Sequence, residues 1–405
     1  VQRLLVRDLA QVATPAGVGG TPLRGAAARD VTVLEDAFVL CADERIEAVG
    51  RMRDLRPLAG DVTELDGRGR SAIPGLVDCH THPAFLGDRV HEFSLRAGGA
   101  TYEQLLAAGG GILATTRATR DGAPGELLAA VRRHRDAMRA HGTTTFEGKS
   151  GYGLDHDTEL AQLEAVRGAG GVPTFLGAHA VPPEHRDADA YVDFLIHDVL
   201  PDAAELAVAA DVFVERGTFD VEQARRYLVA CREAGLALRL HGDQLSEIGA
   251  VPLAIELGAR SVDHLEATSP AGVAALAASE VTAVLLPVAA LFLGKRMPPA
   301  RDLLDAGAVV ALATDFNPGS AFCESLPAVC TLACTQLGMT PEEALTACTV
   351  NAAHVLGRDV GRLEPGCVAD LVVLDAPDWR HLAYHFAGDV VHCVVQRGEL
   401  VPTRA

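Results

Sequence analysis

The residues best suited to chemistry begin in the stretch Gly75-Leu76-Val77-Asp78-Cys79-His80-Thr81-His82-Pro83. An apolar run, Ile73 to Val77, reads as a short buried strand that ends in His-Thr-His. Residues two apart on a strand point to the same side, so His80 and His82 project together. Two imidazoles converging from one rigid strand end make half of a metal site, of a kind that suits zinc or iron. Residues of the same chemistry end other apolar runs: His241, His264 and Asp315, with His179 just after Phe175-Leu176-Gly177-Ala178. Any one of them alone reads as a structural histidine or a helix-capping aspartate. Their recurrence at the carboxyl ends of successive strands is what a random barrel would rarely show. Brought to one mouth, His80, His82, His241 and Asp315 would leave an open position for water on a single metal.

The elements that must position them follow an α/β pattern. After the first strand come apolar runs at 142–147, 172–177, 211–215, 236–241, 259–264, 281–286 and 308–315, separated by helical stretches such as 203–210 and 222–233. Alternating strands and helices predict a parallel sheet, and eight strands predict a TIM-like (β/α)8 barrel over residues 73–358 with its site at the strands' C-terminal ends. In the long connection after the first strand, Gly109-Gly110-Gly111-Ile112-Leu113-Ala114 could form a further strand. A last helix is expected from an N-cap at Thr340, with Pro341 first in the helix and Glu343 completing a capping box, to a stop near Gly357. Short β-type runs at 31–34, 37–41 and 45–50 match others at 369–374 and 389–395. We expect residues 1–72 and 359–405 to build one small composite β domain, the alternative being two separate β appendages.

Composition narrows the function. The chain has 405 residues, 49% hydrophobic and 22% charged, with a net charge of −19 that argues against nucleic-acid or anionic-membrane partners. Nine cysteines without a CxxC pair fit reduced thiols in a cytoplasm better than a disulfide framework. The stretch Val1 to Val6 is too short in apolar residues for a signal peptide, and no apolar run reaches membrane-spanning length.

The order HxH, strand-end His, strand-end His and strand-end Asp resembles the amidohydrolase superfamily. Within it, longer strings are similar to the imidazolonepropionase family: His80-Thr81-His82-Pro83 with Gly87-Asp88-Arg89, and Lys149-Ser150-Gly151-Tyr152-Gly153-Leu154. So are the string from Phe175 through His179 to Glu184, His241-Gly242-Asp243-Gln244, Asp263-His264-Leu265, Asp315-Phe316-Asn317-Pro318-Gly319-Ser320 and Thr349-Val350-Asn351-Ala352-Ala353. The resemblance covers roughly residues 70 to 375, and SGYGL and DFNPGS are far more specific than HxH. It implies metal-dependent hydrolysis of a cyclic amide C–N bond in histidine degradation, on a small-molecule substrate that carries a carboxylate. A homodimer is an assembly it allows. It implies metal ligands at His80, His82, His241 and Asp315, and substrate contacts at Arg89, Tyr102, Tyr152, His179, Gln244, Asn317, Gly319 and Ser320.

Residue chemistry supports these roles. Arginine offers a planar fork that meets a carboxylate bidentately, which suits Arg89. Tyr152 lies between Gly151 and Gly153, so a mobile loop could bring its hydroxyl to the substrate. Asp315 could take a proton from the metal's water, and His264 could stabilise an oxyanion or orient the water. Gln244 stands where some members of the family carry Glu, and an amide cannot act as a base near neutral pH. Relatives with two metals use a lysine on the fourth strand; here that strand ends at Glu215, while Lys149 and Lys295 follow the second and seventh. One metal, zinc or iron, is therefore the better reading, with Glu215 the residue that could bridge two. The alternatives are another amidohydrolase, a deaminase or cyclic amidase acting on a related ring, or a catalytically inactive metal-binding protein.

Overall fold

The apolar run Ile73–Val77 is not one strand. In the computed structural model, which describes residues 2–17, 21–58, 60–100 and 110–402, it is cut at Pro74–Gly75 and shared between two sheets. β1 (Arg3–Pro15), β2 (Val31–Ala42), β3 (Arg45–Arg51), β4 (Thr63–Asp66) and β5 (Ser71–Pro74) belong to the first. β6 (Leu76–Asp78), β7 (Thr143–Lys149), β8 (Val172–Ala178), β9 (Ala209–Val214), β10 (Ala237–Gly242), β11 (Ser261–His264), β12 (Thr282–Leu285) and β13 (Val310–Leu312) form the second, all parallel and in sequential order. β14 (Leu371–Leu374), β15 (Val391–Gln396) and β16 (Glu399–Val401) return to the first sheet.

In that first sheet β5 lies between β1, which it pairs in parallel, and β14, which it pairs antiparallel. Its apolar face joins Leu4, Val6, Val39, Ile46 and Ala72 to Leu371, Val373 and Val395, so strands from both ends of the chain share one core. The runs 31–34 and 37–41, expected as two strands, are one strand bent at Asp36, whose φ of 49° interrupts the alternation. β1 carries the matching irregularity between Val6 and Leu9, with Asp8 at φ 54°. That bulge removes the period-two signal by which β1 could have been read from sequence.

The parallel sheet is a (β/α)8 barrel, with helices such as His156–Gly168 and Val221–Glu233 between the strands. Its seam lies between β13 and β6, where short backbone contacts replace a ladder: Thr81 bridges Phe316, Asp315 N–H donates to His80 O (3.0 Å), and His82 N–H donates to Phe316 O (2.8 Å). The barrel closes through the segments that carry the candidate ligands. The further strand considered at 109–114 is not formed over its described residues, 110–114: Ile112 opens a helix, Ile112–Arg120, behind Gly111 at φ 82°.

The last helix starts as expected, with Thr340 and Glu343 exchanging both capping-box bonds. It does not run to Gly357. It stops at Ala347, and a second helix, Val350–Leu356, starts after Thr349. The break leaves Cys348 O free to accept from Val77 N–H (2.9 Å), which ties the helix pair to β6 just ahead of His80.

Gly75, at the point where the chain leaves one sheet for the other, has no room for a side chain. A Cβ there would lie 2.2 Å from Thr144 Oγ1 and 2.7 Å from its methyl group. Gly75→Ala should destabilise the protein by about 1–3 kcal/mol, as other overpacked interiors do. The measurement is the urea midpoint, and a second change, Thr144→Ala, should restore most of the loss.

Candidate metal centre and active site

Strand alternation turns a set of charged side chains into the barrel rather than onto its surface. Glu147 and Lys149 lie two apart on β7, as do Arg239 and His241 on β10, and all four are buried. His80 and His82 follow β6, while Asp211, Asp263 and His264 come from β9 and β11, and Asp315 follows β13.

The donor atoms of the expected ligands converge. His80 Nε2 is 3.3 Å from His82 Nε2, which is 3.4 Å from His241 Nε2. Asp315 Oδ1 is 3.4 Å from the Nε2 of both His80 and His82. His264 joins them: one nitrogen from each of His80, His241 and His264 lies within 4.8 Å of the others. On two of the rings the opposite nitrogen is fixed by an acceptor. His80 Nδ1 meets Asp263 Oδ2 at 2.6 Å and His241 Nδ1 meets Asp211 Oδ1 at 3.1 Å. An aspartate holding the Nδ1 proton leaves Nε2 as a lone pair facing the centre, the arrangement of carboxylate–histidine–metal triads. Burial first, then Lys149 and His241, hold the His80 pKa well below the usual histidine value; burial, His179 and His241 do the same for His82. Both imidazoles are thus neutral, as ligands must be.

Lone pairs and a carboxylate repel one another at such distances unless a cation lies among them. The donors of His80, His82 and Asp315, mutually 3.3–3.4 Å apart, suit three corners of a tetrahedral ion about 2.0–2.1 Å from each, the range of zinc–nitrogen and zinc–oxygen bonds, and His241 Nε2 lies 3.4 Å from that of His82. The residues fit a metal cofactor.

Beneath the histidines is a polar network that sequence reasoning missed. Lys149 Nζ donates to Asp211 Oδ2 (2.7 Å) and Glu147 Oε1 (2.9 Å), and Arg239 pairs with the same Glu147 oxygen. Burial alone would lower the Lys149 pKa, but Asp211 and Glu147 more than offset it and raise it. The available signal was charge inside apolar strands, since Asp211 and Arg239 interrupt otherwise hydrophobic runs. Glu215, considered as a metal bridge, faces elsewhere: its carboxylate accepts from Leu245 N–H (2.8 Å), Ser246 N–H (3.0 Å) and the Ser246 hydroxyl. It holds the loop that carries half-buried Gln244.

Backbone strain gathers at the mouth. Asp243, His264, Leu265 and Asp315 all adopt positive φ, of 53°, 87°, 72° and 55°. Non-glycine residues hold such angles at a cost of order 1–3 kcal/mol each, usually where function needs the side chain aimed. Burial opposes a proton on His264, but Glu266, then Asp315 and Asp263, outweigh it and raise its pKa.

The remaining expected residues are placed as follows. Tyr152 is buried with Phe85 and Phe316, its ring 5.3 Å from that of His179 and 6.1 Å from that of His82. The buried Glu159 carboxylate holds its loop, accepting from the N–H groups of Gly151, Gly153 and Leu154. His179 stacks on His82 at 5.4 Å and contacts Gly151 O through Nδ1 (2.9 Å); burial first, then His241, lower its pKa to about 4. Asn317 is used within its own turn, accepting from Gly319 and Ser320 N–H (both 2.8 Å) and donating to Asp315 O (2.6 Å). It shapes the loop that aims Asp315. Arg89, expected to meet the substrate's carboxylate, is paired with Glu92 and lies against Gly319. Tyr102 falls outside the described residues.

The amidohydrolase family model matches residues 71–401. An imidazolonepropionase from Rubrobacter xylanophilus is 59% identical to this chain, with 98% of each chain covered. Those from Chloroflexus aggregans and Geobacillus kaustophilus are 46% and 43% identical, over 99% and 98% of this chain and 98% and 97% of theirs. Among solved structures, atrazine chlorohydrolase from Arthrobacter aurescens complexed with zinc aligns with TM-score 0.69 at 20% identity, over 98% of this chain and 94% of that one. An adenosine deaminase from Xanthomonas campestris with bound zinc does so with TM-score 0.69 at 19% identity, over 98% and 92%. These two show the shared fold. The polar barrel interior, the converging donors and the full-length similarity lead to one assignment: the chain belongs to the imidazolonepropionase family of the amidohydrolases.

Proposed function

We propose that this chain hydrolyses the cyclic amide C–N bond of 4-imidazolone-5-propanoate, giving N-formimidoyl-L-glutamate, with one zinc or iron ion held by His80, His82, His241 and Asp315. The observation that carries the reading is the meeting of the buried His80, His82 and Asp315 donors at 3.3–3.4 Å, with His241 Nε2 3.4 Å from that of His82. When bound, such an ion lowers the pKa of water and polarises the amide carbonyl.

The chain's own residues supply the rest. Asp315, fixed by its strained backbone and the Asn317 turn, accepts the proton of the attacking water and returns it to the leaving ring nitrogen. His264 donates to the oxygen on which negative charge develops. Asp263 and Asp211 keep His80 and His241 turned with Nε2 inward. Arg89 takes the propionate, and Tyr152 and His179 wall the ring. Gln244 can hydrogen-bond substrate or water but not abstract a proton.

Three outcomes test this. Elemental analysis of active protein should find about one equivalent of metal, and His80→Ala should lose both metal and turnover. His264→Asn should lower kcat by about two to four orders of magnitude, whereas Gln244→Glu should remain active. An inactive Gln244→Glu with a near-normal His264→Asn would reverse the assignment. Arg89→Met should cost roughly 2–5 kcal/mol of transition-state stabilisation, which is about one and a half to three and a half orders of magnitude in kcat/KM. It should scarcely change hydrolysis of a ring analogue that lacks the propionate. Equal damage to both substrates would make Arg89 structural.

A further inference from the structure

Arg89 is not a free cation waiting at the mouth. Its Nε donates to Glu92 Oε2 at 2.9 Å and its Nη2 to Glu92 Oε1, a two-point pair across one helical turn. Glu92 Oε2 also accepts from Gly111 N–H at 2.8 Å. On the other side, a Cβ built on Gly319 would lie 2.0 Å from Arg89 Nη1 and 2.6 Å from Cζ, so the guanidinium rests directly on the glycine. Arg96, seven residues on along the same helix, donates from Nη2 to Gly319 O at 3.2 Å and fixes that seat.

Helical Arg–Glu pairs three apart are common and contribute little to stability. This one differs in its burial: the side chains of Arg89 and Glu92 are 12% and 11% exposed, on a helix, Val90–Ala97, that buries no residue fully. Core packing therefore does not call for the pair. What it does is commit the Nε–Nη2 edge of the guanidinium and leave Nη1 beside the turn that follows Asp315.

We propose that Glu92 is a positioning residue for substrate recognition, holding Arg89 between itself and Gly319 so that one guanidinium edge is pre-aimed at the substrate's carboxylate. The inference rests on the reading that Arg89 takes that carboxylate. It gives Gly319 a different role from direct substrate contact: it is glycine because the arginine lies on it. Fixing the side chain before binding removes an ordering cost from each encounter.

The sign of one kinetic constant decides the matter. Glu92→Gln removes a negative charge beside Arg89, so simple electrostatics would tighten binding of an anionic substrate. Loss of positioning predicts the opposite, a KM for imidazolonepropionate raised about ten- to thirtyfold, the size of an ordering cost for one long side chain. The value of kcat should stay near wild type, and kcat/KM for the analogue lacking propionate should not change. Glu92→Asp, which keeps the charge but withdraws the carboxylate from the guanidinium, should give the same split, and it stands in if Glu92→Gln does not fold as judged by circular dichroism and metal content. A KM that is lowered or unchanged in the folded variant, or equal losses on both substrates, overturns the proposal. If the wild-type enzyme itself shows no preference for the propionate-bearing ring, the underlying reading of Arg89 fails instead, before any variant is compared.

Discussion

Three imidazoles and a carboxylate whose donor atoms come within 3.4 Å of a neighbour form an arrangement that no apolar core would tolerate. The rest of the barrel is arranged to sustain it. Asp263 and Asp211 orient two of the rings, Lys149 balances Asp211 and Glu147, and Arg239 reaches from Glu147 to the carbonyl oxygen of Val355 (3.1 Å). Buried ion pairs seldom repay their desolvation in stability, so a cluster of five charged groups beneath the histidines is better understood as fixing geometry than as holding the fold together. Hydrophobic burial elsewhere does that: the continuous core runs from Leu76 and Val77 through Phe175, Leu240 and Leu285 to Leu345.

The substrate side shows the same economy of movement. Glu159 gathers the amides of the Tyr152 loop, Glu215 those beside Gln244, and Asn317 those of the turn after Asp315. In each case a side-chain carbonyl or carboxylate oxygen stands in for absent secondary structure and sets the pose of a neighbour that faces the mouth. Rigid surroundings of this kind are how a loop-built site is held to the tolerance that catalysis needs.

Much of this was legible in the sequence, and the reasons are local. Apolar runs ending in His241, His264 or Asp315 gave both strands and site residues, because in a parallel barrel strand ends and active site coincide. The capping box at Thr340 was legible because it is written in three residues. Where two requirements compete, local signals fail. Ile73 to Val77 is equally apolar in both sheets, so nothing marked the division except Pro74–Gly75. β1 was hidden by its bulge at Asp8, and the break at Cys348–Thr349 serves a contact with β6 about 270 residues away, beyond the reach of any window. Glu92 and Glu159 were overlooked because acidic residues in the first turn of a helix are ordinary. Only the fold shows what they hold.

The position of β5 has a consequence for how the protein comes into being. Until β14 arrives, β5 is an edge strand with unpaired backbone groups, and its residues, all buried in the finished molecule, face solvent. Its partner is encoded some 300 residues later, between Leu371 and Leu374. At translation rates of about 5–20 residues per second, roughly 15–60 s pass between synthesis of the two. The barrel seam between His80 and Asp315 closes nearly as late. Through most of its synthesis the chain carries an open sheet edge and a set of uncombined ligands.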